Sequence, residues 1–149
     1  MENEAKRKKT EEILAEIYRN CQYAIQSIVD ILPQTEDEAL KAEITAQHEE
    51  YEKICGKAAA LAKNKGIELK EPSMMKKAMM WGAIKMSTLT DGSASHIADK
   101  MIQGTVMGIT SLRTSQSELP LEPDEEIVAL LEELIRMEEL FEKRLKTFL

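Results

Sequence analysis

Proline, glycine and aromatic side chains are scarce in this 149-residue chain. Four prolines and six glycines are too few to turn the many short strands of a sandwich or barrel. Aromatics make up 4 % of the residues, so the core must be aliphatic. Nine methionines supplement it with soft side chains that adapt to irregular gaps. Two cysteines, Cys21 and Cys55, cannot make a disulfide framework and read as reduced, buried thiols. A surplus of positive charge is also missing. The net charge of −7 argues against a nucleic-acid binder, which needs cations to displace phosphate counterions. The one basic cluster, Lys6-Arg7-Lys8-Lys9, is surrounded by Glu2, Glu4, Glu11 and Glu12 and reads as a solvated helix lead-in. No secretory apolar region follows it, and no apolar run approaches the ~20 residues of a membrane span. The expected compartment is the cytoplasm.

What is present is helical pattern. Apolar residues at 43 % and charged residues at 32 % suit one all-α domain with a solvated surface. Helix 1 is expected from about Thr10 to Leu32, with Leu14, Ile17, Cys21, Ala24, Ile28 and Ile31 at helical spacing, Thr10 as cap, residues 1–9 frayed and Pro33 as the stop. Helix 2 starts at Thr35 or Asp37 and ends at Lys65 before Gly66. Its inward stripe of Leu40, Ile44, Tyr51, Ile54, Ala58 and Leu61 is interrupted by Gln47 and His48. A loop over 116–123 precedes helix 4, which runs from about Asp124 to the end with Ile127, Leu131, Leu134, Phe141, Leu145 and Phe148 inward and Glu138 among them.

Helix 3 is harder to place, because no proline falls between Pro72 and Pro120. A continuous helix from Met74 to Ser115 would be about 60 Å long at ~1.5 Å per residue. A kink or break is expected at Asp91-Gly92, since glycine is poor in helices and aspartate favours caps. The alternative is a helical crossover over 74–90 and a true third helix over 93–115. Around the break lies LTDGSASHIADKMIQGTVMG, Leu89–Gly108, crowded with small and polar residues and holding His96, one of two histidines.

Counting outward from the short connections puts the polar interruptions of all four helices in one central slab: Gln22, Gln26, Gln47, His48, Asp91, Ser95, His96, Glu138 and Glu142. An antiparallel four-helix bundle with polar and acidic residues at mid-height resembles the ferritin-like superfamily. The phrases NCQYAIQSIVDILP, AQHEEYEKI and SHIADKMIQGTVMG are similar to a group of small, uncharacterised ferritin-like proteins of anaerobic Gram-positive bacteria. The resemblance spans nearly the whole chain and implies the fold, with no activity attached.

The ferritin-like di-iron site takes one Glu from each of two helices and a Glu-x-x-His from each of the others. Here Thr45 precedes His48 and Ser93 precedes His96 at that spacing, and helix 4 has no histidine. The standard motif is therefore absent. A single site for Fe, Mn or Zn built from His48, Asp91, His96 and Glu138 is the metal alternative; a hydrogen-bonded layer without cofactor, fixing helix register, is the favoured reading.

Three further features stand out. Ser93, His96 and Asp99 lie three residues apart on one face, but no nucleophile elbow or oxyanion hole accompanies them, so no catalytic set is assigned. Gly104 and Gly108, with Gly82, Ala94 and Ala98, suggest close packing within the bundle or between protomers. Met74, Met75, Met79, Met80 and Met86 with Trp81, edged by Lys76, Lys77 and Lys85, form a basic amphipathic strip suited to a core edge or a partner helix. The expectation is a non-enzymatic structural or interaction protein, a homo-oligomer using the small-residue and Met-rich faces of helix 3.

Overall fold

The structure, a computed structural model, describes residues 2–69 and 91–149. Within them the chain forms α1 (Glu2–Ile31), a 3-10 turn (Leu32–Gln34), α2 (Glu38–Lys65), α3 (Ala94–Ser117) and α4 (Glu125–Lys146), and no strand. The Met-rich strip from Met74 to Met86, and Gly82 with it, lies outside the described residues. α1 packs chiefly on α2, and α3 on α4.

The helix ends follow local chemistry closely, with one exception. Asp37 caps α2 by accepting from Leu40 N at 2.8 Å. Thr35, the other candidate, turns its hydroxyl back to the Ile31 carbonyl at 3.0 Å. Gly66 ends α2 at φ 67, the left-handed conformation that a β-carbon disfavours. Asp124 caps α4, accepting from Glu126 N and Ile127 N. The exception is α1, which begins at Glu2, so that Thr10 lies inside the helix instead of capping it. Charge matching carries this extension: Arg7 meets Glu11 at 3.2 Å, Lys9 meets Glu118 at 2.7 Å and Lys6 meets Glu122 at 3.6 Å. Such exposed pairs contribute about 0–1 kcal/mol each, sufficient to propagate a helix whose packed turns are already formed.

At the expected break, Asp91, Gly92 and Ser93 are not helical, and α3 starts immediately after them. Asp91 accepts from Ser93 N at 2.9 Å, and Ser93 caps the helix by accepting from His96 N. Gly92 is required there by a close approach: a β-carbon would sit 2.8 Å from the Gln34 carbonyl oxygen. This contact puts the start of α3 against the turn that follows α1. Asp91 therefore belongs to an end of the fold, not to its middle.

The core is built from the stripes read in the sequence. Leu14, Ile17, Cys21, Ile28 and Ile31 face Leu40, Ile44, Ile54 and Ala58, with Ile127, Leu131, Leu134, Phe141 and Leu145 from α4. Each fully buried Leu, Ile or Phe contributes roughly 1.5–3 kcal/mol. α3 is the thin element. Its inward face reads Ile97, Met101, Gly104 and Thr105, Gly108 and Leu112 at helical spacing, so two large aliphatic anchors flank a stretch of mostly small residues. No helix among the described residues is long and apolar enough to cross a membrane.

Candidate functional site

The small middle of α3 leaves space. Between it and α1, whose facing positions include Ala24 and Ser27, lies a cavity of about 250 Å³. A β-carbon built on Gly104 would meet nothing within 4 Å. Ile28, Ile31 and Met101 supply apolar wall, while Gln47 and Tyr51 from α2 and Glu138 from α4 close the inner end. Those three inner residues are 2–3 % exposed, whereas Met107 at the outer rim is 68 % exposed. The cavity is thus an apolar cleft with a buried polar end.

Glu138 dominates that end. The Tyr51 hydroxyl donates to its Oε2 at 2.7 Å, and the Tyr51 ring is held edge-on against Phe141 with centroids 5.5 Å apart. Asn20 donates to the Gly108 carbonyl at 3.2 Å. A β-carbon on Gly108 would lie 3.0 Å from Glu138 Oε2 and 3.1 Å from Asn20 Nδ2. Gly108 therefore makes room for a carboxyl group and an amide at the helix surface. Burial pushes the Glu138 carboxyl up to about 8, against the pull of the Tyr51 hydroxyl and the Asn20 amide. It is mainly uncharged at neutral pH. Burial likewise raises the Tyr51 hydroxyl well above its ordinary value, with Glu138 adding to the effect. Cys21 is raised by burial first, then by Cys55 and Glu138.

Four fully buried side-chain atoms on residues that line the cavity have no hydrogen-bond partner among the described residues: Tyr23 OH, Ser27 Oγ, Gln47 Nε2 and Glu138 Oε1. Buried polar atoms are nearly always paired, because leaving one unpaired costs about 1–3 kcal/mol.

The residues singled out from the sequence divide sharply. Gln47 and Glu138 meet at the cavity. Gln22 donates to Cys55 Sγ at 3.2 Å, and neither cysteine is in a disulfide, Cys21 being buried and Cys55 half-buried. Gln26 is half-buried and Ser95 exposed. His48 faces Glu52 of its own helix at 3.5 Å, and Glu142 pairs with Lys146 at 3.2 Å. His96 is half-buried in the first turn of α3, and Asp91 is exposed beside the cap. The central slab thus contracts to a smaller cluster. Counting outward from the connections puts Asp91 and His96 in the slab, whereas α3 starts at Ala94 and presents Gly108 to Glu138.

Among the described residues, no three His, Cys, Asp or Glu side chains come together as a metal-holding group. Glu138 has Tyr51, Asn20 and Gly108 beside it, with Cys21 close enough to feel its charge.

Sequence reasoning missed Asn20, Tyr23, Ser27 and Tyr51 as members of the site. Tyr51 had a signal: a tyrosine in an inward stripe brings a hydroxyl that must find a partner. Asn20 beside inward Cys21 carried a similar but weaker one. No protein-family model, curated protein or solved structure matches the chain.

Proposed function

We propose that this chain is a non-enzymatic binding protein, an antiparallel four-helix bundle of ferritin-like type that holds a small molecule between α1 and α3. The observation that carries the reading is the cavity of about 250 Å³, walled by Ile28, Ile31 and Met101 and ending on the buried polar residues Gln47, Tyr51 and Glu138. An engineered apolar cavity of ~150 Å³ already admits benzene, so the space suits a molecule of roughly ten non-hydrogen atoms.

The bundle assignment draws support from which residues meet. From α2 to α4, Lys65 pairs with Glu126, Lys57 with Glu133, Tyr51 with Glu138 and Glu43 with Arg144, one series falling as the other rises. From α1 to α3, Lys9 meets Glu118, Glu16 meets Ser111 and Asn20 meets Gly108. The ferritin-like type rests on the resemblance of the α1, α2 and α3 phrases and on the polar cluster between the helices. Free thiols favour the cytoplasm, and the acidic balance favours partners other than nucleic acid. Self-association is a second reading, favoured by the consecutive exposed residues Val106 and Met107 on α3.

The binding reading is tested by calorimetric titration of the full chain with a panel of amphiphiles small enough to fit: 2-hexanone, 1-hexanol, hexylamine and hexanoate. Saturable uptake of about one equivalent of at least one probe is expected. Gly104→Leu, whose side chain enters open space, should abolish it while leaving the helical signal intact. Failure of every probe to bind the wild-type chain would overturn the reading.

A further inference from the structure

The polar residues that line the cavity turn their polar atoms away from it. Asn20 Nδ2 donates to the Gly108 carbonyl at 3.2 Å, and Thr105 Oγ1 to the Met101 carbonyl at 2.8 Å. The Tyr51 hydroxyl is spent on Glu138. Tyr23 OH, Ser27 Oγ, Gln47 Nε2 and Glu138 Oε1 are buried beyond the reach of a water-sized group. What faces the space is therefore mostly carbon, from Ala24, Ile28, Ile31, Met101 and the bare backbone at Gly104. Such a space takes an alkyl chain and offers a polar head little to bond, so a head drawn inside would lose its water uncompensated. The head of an amphiphile then stays at the mouth.

Besides buried Glu138, two charged side chains line the cavity, Glu16 and Lys100, and both are half-buried. Glu16 is already engaged: Arg19 meets it at 2.6 Å and Ser111 donates to it at 2.6 Å. Lys100 has no ion-pair partner among the described residues. It precedes Ser111 by roughly 16 Å along α3 at ~1.5 Å per residue, so Glu16 does not neutralise it. It stands one turn before Gly104 on the same helix face, beside the open space there. We propose that the cavity takes the alkyl chain of a small carboxylate, a short fatty-acid anion, with its head at the mouth paired to Lys100. This rests on the binding reading above and narrows it to a ligand class. One cation matches a singly charged head. Because water still reaches Lys100, the pair adds modestly to affinity and mainly sets which charge is accepted, while the chain supplies most of the binding.

The test is calorimetric titration of the full chain at neutral pH and low salt with hexanoate, 1-hexanol, hexylamine and butanoate, in wild type, Lys100→Gln and Lys100→Arg. Hexanoate should bind the wild type about fivefold more tightly than 1-hexanol, the upper range for a partly exposed pair. Hexylamine should bind more weakly than either. Lys100→Gln should erase the preference for hexanoate while still taking 1-hexanol, and Lys100→Arg should keep it. Butanoate should bind about fifteenfold more weakly than hexanoate, since each buried methylene is worth roughly fourfold in affinity. Hexanoate no tighter than 1-hexanol in the wild type, or a preference that persists in Lys100→Gln, would overturn the pairing with Lys100. Equal binding of butanoate and hexanoate would put the chain outside the cavity and overturn the inference as well. In each case uptake of 2-hexanone or 1-hexanol keeps the binding reading, which falls only if all four probes of its own panel fail.

Discussion

Glu138 is a carboxyl that the fold keeps from ionising. Its value is 4.5 in an exposed chain and about 8 in the folded one. Between these limits the folded state holds a proton that the unfolded state has released, so the group's contribution to stability is greatest below about pH 4.5 and is lost as the pH rises through about 8. The isosteric Glu138→Gln has no such dependence. Relative to wild type, the variant should gain stability from pH 5 to pH 8 by on the order of a few kcal/mol, since each tenfold difference in proton affinity between the two states is worth ~1.36 kcal/mol. Urea unfolding of both proteins across that interval reads the difference directly; parallel stability curves would contradict it. Ion pairs elsewhere are common to both proteins and cancel in the comparison.

At the scale of the element, α3 explains both an edge and a hole. Its start is wedged against the turn after α1, with Gly92 admitting the Gln34 carbonyl, and its middle is thinned by Gly104. Two glycine substitutions should therefore move stability in opposite directions. Gly92→Ala brings a β-carbon to 2.8 Å from a backbone oxygen and should cost about 1–3 kcal/mol through forced displacement. Gly104→Ala places a methyl in open space inside a helix and should stabilise by about 0.5–1 kcal/mol from helix propensity alone. Thermal unfolding of the pair distinguishes them; a lower melting temperature for Gly104→Ala would mean that α3 and α1 close over that position.

At the scale of the whole molecule, α1 packs chiefly on α2 and α3 on α4. Among the described residues, Val29, Val106, Met107 and Leu140 are the large hydrophobics exposed within helices. Val106 and Met107 are consecutive on α3, so among the described residues that surface is the one the self-association reading uses. Multi-angle light scattering at tens of micromolar should give a mass above that of one 16.9 kDa chain, returning to it in Met107→Glu, where a charge replaces an exposed thioether. A monomer in the wild type would remove the second reading without touching the cavity.

Periodicity and caps made the helices legible before any coordinates. The stripes of α1, α2 and α4, the Asp37 and Asp124 caps, the Gly66 stop and the non-helical Asp91–Ser93 ahead of α3 all follow from local rules, in which neighbours three and four apart share a face and helix ends need specific side chains. Glu138 and Gln47 were visible for the same reason, as polar residues inside apolar stripes. What local rules do not contain is the level of one helix against another. Counting from turns placed Asp91 and His96 beside Glu138, whereas packing brought Asn20, Tyr51 and Gly108 there. The sequence by itself thus determined the elements, their inward faces and the presence of a polar layer. Only the tertiary structure decided which polar groups meet, because a shift of one helical turn costs nothing in local pattern and is settled by side chains fitting across the core.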